Sequence, residues 1–103
     1  MSQLPTVGHL IGGKIITTGD RAQDVFNPAT GKAEKRVLLA PKATVEEAIA
    51  NAQAAFPAWR NTPPLKRARV MSNLKVLLEK HAEELCALIT AAHGKVLSDA
   101  LGE

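Results

Sequence analysis

The sequence predicts an α+β unit, or a fragment of an α/β one, in which a β-hairpin and short strands precede two to three amphipathic helices. Three features of its 103 residues carry that expectation. Gly12-Gly13 stands between two apolar runs, and Asn27-Pro28-Ala29-Thr30-Gly31 stands between two more. From Val45 onward, apolar residues recur every three or four positions. Two adjacent glycines both tolerate positive φ, which the tight primed turns of hairpins require. Spacing by three and four traces one face of a helix.

Taken in order, residues 9–16 read as a hairpin folded over Gly12-Gly13, and Gly19-Asp20 ends its second strand. Residues 23–26 form the next strand, stopped by Pro28, which has no ladder donor. Asn27 suits the first turn position, Pro28 presets φ at the second, and Gly31 accepts a left-handed φ. Residues 32–40 return as a strand ending in the apolar run Val37-Leu38-Leu39. Thr44-Val45-Glu46-Glu47 has the form of a capping box, in which Thr44 covers free N–H groups and Glu47 bonds back. Behind it Val45, Ala48, Ile49, Ala52, Phe56 and Trp59 share one face. Pro57 should kink this helix or mark its last turn.

Thr62 then caps a second helix with Pro63 at its first position. Met71, Leu74, Leu78, Leu85, Ile89 and Ala92 stay in phase from Leu65 to His93, about eight turns. That length exceeds the ordinary globular range, which places a break near Lys80-His81. Gly94 is a natural stop, and Ser98 or Asp99 caps a further helix. Strands are thus expected over 9–40 and helices over 44–93.

Composition narrows the function classes. Hydrophobic residues make up 46% of the chain, yet aromatics are confined to Phe26, Phe56 and Trp59, so a core must be built of Ala, Val, Ile and Leu. Thirteen basic residues against 10 acidic leave a net charge of +3, short of a nucleic-acid-binding signature. The opening residues lack the cationic and apolar regions of a secretory signal. No run approaches the roughly 18 apolar residues that span a bilayer. A single cysteine, Cys86, excludes an internal disulfide and a cysteine-based zinc cluster. These features lead us to expect a reduced, cytoplasmic setting. There is no repeat and no linker, and the chain stops at Leu101-Gly102-Glu103 where a helix is starting. That predicts one incomplete unit over residues 1–103, without a second domain.

Four stretches invite a chemical reading. Gly8-His9-Leu10-Ile11-Gly12-Gly13-Lys14 matches a P-loop up to its lysine, but Ile15 stands where a magnesium-binding hydroxyl belongs. The motif should open a helix, whereas Ile15-Ile16-Thr17 reads as strand. No dinucleotide-type glycine fingerprint is present. Cys86 lies on the edge of the apolar stripe, with His81 and His93 too far along the helix to activate it, so a structural thiol is expected. His81-Ala82-Glu83-Glu84 lacks a histidine at the position Leu85 occupies, and His9, His81 and His93 are dispersed, which argues against a metal site. Lys66, Arg67, Arg69, Lys75 and Lys80 make the second helix basic. Glu79, Glu83 and Glu84 follow at once, so a solvated face is the plainer reading.

The residues alone thus give an α+β unit with no assembled active site, but several phrases in fixed order carry more. These are Phe26-Asn27-Pro28-Ala29-Thr30-Gly31, then Val45-Glu46-Glu47-Ala48-Ile49-Ala50-Asn51-Ala52, then Ala55-Phe56-Pro57-Ala58-Trp59. Arg67 and Arg69, Leu85 to Thr90, and His93-Gly94-Lys95-Val96-Leu97 follow. From Val7 to Glu103 the chain resembles the N-terminal part of an aldehyde dehydrogenase. Its opening through Lys14, with His93-Gly94-Lys95, is most similar to the CoA-acylating methylmalonate-semialdehyde branch. Ala92 departs from the pattern, since many relatives carry glutamate there.

The resemblance implies a lead-in to a Rossmann-like NAD domain within a much longer oligomeric enzyme. It also implies a cysteine thiolate that attacks the aldehyde, hydride transfer to NAD, and, in that branch, CoA as acceptor with propanoyl-CoA and carbon dioxide as products. The catalytic cysteine, its activating glutamate, the oxyanion asparagine and the nucleotide-binding segments all fall beyond residue 103 in that family. No catalytic, cofactor-binding or metal residue is therefore assigned within this chain, which by itself is expected to be inactive. The alternatives are a stand-alone scaffold or interaction module that pairs with a full-length subunit, and a basic helical nucleic-acid binder.

Overall fold

Backbone pairing divides the first forty residues into two small sheets, each held by a glycine turn. The computed structural model describes residues 3–103. It places among them strands β1 (Thr6–Val7), β2 (His9–Ile11), β3 (Lys14–Ile16), β4 (Ala22–Asn27) and β5 (Lys32–Leu38). Helices α1 (Lys42–Asn61), α2 (Pro64–Lys80), α3 (Ala82–His93) and α4 (Leu97–Ala100) follow.

The expected hairpin forms. β2 and β3 pair antiparallel with Leu10 opposite Ile15, and Gly12 and Gly13 turn between them at φ 59° and 76°. The turn also sets tertiary packing, because a Cβ on Gly12 would lie 3.0 Å from Asn51 Nδ2 of α1.

β4 and β5 pair antiparallel from Ala22↔Leu38 to Asn27↔Lys32, with an irregularity after Val25. At their tip the Ala29 N–H donates to Asn27 Oδ1 at 2.9 Å and the Gly31 N–H to the Asn27 carbonyl at 2.8 Å. Gly31 is left-handed at φ 70°, as its place in the turn requires. β1 adds in parallel to β5, with Thr6 opposite Arg36 and Val7 opposite Val37, so the larger sheet runs β1-β5-β4. This strand was not legible. It is two residues long, and its partner lies some thirty positions away.

Helix starts are where expectation and structure part. α1 begins at Lys42 rather than Thr44, and Pro41 is its N-cap, with no side-chain capping bond. The Pro41 carbonyl accepts from the Thr44 and Val45 N–H groups, and Thr44 is buried, 8% exposed. The capping box is therefore not used, because Thr44 already sits inside the first turn and faces inward. α1 runs through Pro57 to Asn61, one turn further. Thr62 closes α1 instead of opening α2. Its N–H donates to the Trp59 carbonyl at 3.1 Å and its hydroxyl to the Ala58 carbonyl at 2.8 Å. Pro63 is then the N-cap of α2 and Pro64 its first residue, one position later than expected.

The break at Lys80-His81 is present, with His81 at φ −105°, ψ 16° between α2 and α3. Gly94 ends α3 in the left-handed conformation, φ 88°, and its N–H donates to the Thr90 carbonyl at 2.8 Å. α4 is capped by Val96, so Ser98 and Asp99 lie inside it rather than ahead of it. The helical region thus extends from Lys42 to Ala100, wider than 44–93 at both ends.

Packing is lopsided. α3 lies on β4 and receives α4, and α1 touches β2, but α2 has no extensive contact with any other element among the described residues. The radius of gyration is 17.3 Å, against about 13 Å for a compact chain of this length. The accessible surface is 8365 Å², exceeding by about half the roughly 5,600 Å² typical of a folded monomer of this mass.

Candidate functional site

Among the described residues the feature that stands out as a candidate surface is the exposed apolar face of α1 and α2. On α1 the face through Val45, Ile49, Phe56 and Trp59 forms as the spacing predicts, yet every one of these side chains is exposed, Phe56 by 56%. On α2, Met71, Leu74 and Leu78 are likewise exposed, Leu78 by 50%, and the helix buries no residue at all. Periodicity identified the face correctly but could not say what covers it. Most of a helix's stability in a protein comes from the packing of such a face.

Closer packing is found beside the stripe, where α3 receives α4. Cys86 is 9% exposed and Ala100 only 2%. Leu78, Leu85, Cys86, Ile89 and Leu101 line an open apolar groove of about 350 Å³ beside α4. Cys86 is thus a buried free thiol inside a packed helix pair, as a structural cysteine should be. The nearer histidine is otherwise engaged, since His81 Nδ1 lies 3.2 Å from Glu84 Oε2.

The P-loop-like run is the β2–β3 hairpin. Lys14 lies in a strand opposite Ile11, no helix follows it, and Asn51 occupies the side on which a phosphate cradle would need room. The run is therefore a hairpin turn and not a P-loop-type phosphate cradle. Among the described residues no group of three or more His, Cys, Asp or Glu is placed to hold a metal ion. No helix among them is long and apolar enough to cross a membrane.

The basic side of α2 is partly used internally. Lys75 pairs with Glu79 at 2.8 Å. Arg67, expected on the wet face, is half-buried, and its Nε donates to the Thr62 carbonyl at 3.0 Å across the α1–α2 link. On α1, Arg60 sits 5.4 Å above the Phe56 ring. Two polar atoms that sequence reasoning passed over, His9 Nε2 and Thr90 Oγ1, are buried without a hydrogen-bond partner.

One juxtaposition joins two phrases that are far apart in the sequence. The Asn27–Gly31 turn lies against the end of α3, and a Cβ on Gly94 would stand 3.1 Å from Pro28 Cγ. The proline turn and the His93-Gly94-Lys95 segment are two halves of one contact, so a change in either side disturbs the other.

Comparison with known proteins agrees with this geometry. The profile of the Aldehyde dehydrogenase family matches residues 15–103. The malonate-semialdehyde dehydrogenase of Pseudomonas aeruginosa is 51% identical over 98 residues, covering 95% of this chain and 20% of its own. The human mitochondrial acylating methylmalonate-semialdehyde/malonate-semialdehyde dehydrogenase is 41% identical over 103 residues, with 99% and 19% covered. The crystal structure of a methylmalonate-semialdehyde dehydrogenase from Oceanimonas doudoroffii superposes with a TM-score of 0.93 at 58% identity, over 96% of this chain and 20% of that one. A solved structure from Sinorhizobium meliloti, complexed with NAD, gives 0.93 at 39% identity, over 99% and 21%. The chain spans about a fifth of the length of these relatives. It belongs to the aldehyde dehydrogenase family and corresponds to the N-terminal part of its methylmalonate-semialdehyde dehydrogenase relatives.

Proposed function

We propose that this chain is the N-terminal scaffold of an NAD-dependent, CoA-acylating semialdehyde dehydrogenase of the malonate and methylmalonate type. The observation that carries this reading is the extent of the likeness, 58% identity at a TM-score of 0.93 over 96% of the chain. The segment begins the NAD-binding domain of such an enzyme but contributes none of its chemistry. Its buried thiol and its occupied hairpin turn support that division of labour. NAD and CoA are engaged by residues beyond this segment, as are the catalytic thiolate and the contacts that join subunits. What the segment provides is scaffold: two small sheets, with α3 packed on β4, and the helices α1 and α2, whose apolar faces receive the rest of the fold.

The test is a graft. Residues 1–103 replace the matching segment of the Pseudomonas aeruginosa enzyme, and NADH formation is followed with NAD, CoA and malonate semialdehyde. The graft is expected to turn over, while the 103-residue chain alone gives none. Sustained NADH production by the chain alone, or a folded graft without activity, would overturn the reading.

A further inference from the structure

We draw no further inference here: the strongest candidate, the open cavity between the β2–β3 hairpin and the start of α1, lined by His9 and the buried Thr44, carries nothing because nothing in the structure shows what covers it.

Discussion

At the scale of single residues, the firmest assignments are glycines whose backbone leaves no alternative. Gly94 sits at φ 88° and packs within Cβ distance of Pro28. Gly94→Ala asks an L-residue to adopt the left-handed region, at about 1–2 kcal/mol, and presses a methyl into the proline ring. The thermal midpoint of the chain should fall by about 4–8 °C per kcal/mol lost, and a thermal melt followed by circular dichroism reads this directly. Gly94, Gly31 and the Gly12-Gly13 pair were legible because positive φ is written into the residue type. Thr44 was not, because the same Thr-x-x-Glu pattern fits a cap or the interior of a first turn. Pro41 decided the matter by starting the helix earlier. Glu47, exposed and released from any capping duty, should tolerate Glu47→Gln with a change below about 0.5 kcal/mol. Loss of a full cap's worth of stability in a denaturant titration would restore the capping box.

At the scale of elements, the sequence set the order hairpin, strand, turn, strand and then helices, along with the break at His81, because these follow from local spacing. It could not show β1, whose pairing with β5 is parallel and non-local, or the contact between the Asn27–Gly31 turn and α3. The apolar face of α2 was legible as a stripe, but burial depends on neighbours the spacing does not name. In the isolated chain that face is largely open, so Leu74→Asp and Leu78→Asp should cost little more there than the helix-propensity difference between the two residue types, about 0.5 kcal/mol each. In the graft the same substitutions place charges in a packed interface and should destabilise by at least about 3 kcal/mol. Chemical denaturation of both forms, side by side, checks the contrast. Equal effects in the two would mean that nothing packs on α2.

For the whole molecule, few side chains are buried and much surface is left over. Only Cys86, Ala100 and Thr44 are buried among the described residues. A chain with so small a core should be marginally stable by itself or associate with itself at high concentration. Sedimentation across a concentration series is expected to show a rising average mass, and cooperative unfolding as a concentration-independent monomer would contradict it. Of the candidate site, the apolar stripe was legible from spacing, while its exposure was not, because exposure depends on neighbours. The phrases that placed the chain in its family are turn and packing residues such as Pro28, Gly94, Phe56 and Trp59, which specify the shape of the scaffold.

The most direct test of that scaffold role is amide hydrogen exchange through α2, from Met71 to Leu78, in the isolated chain and in the active graft. Those amides should exchange quickly in the chain and slow by on the order of a hundredfold or more in the graft, as the rest of the fold covers the helix. Equal protection in both forms would show that α2 is stable without a covering surface, and would contradict the account.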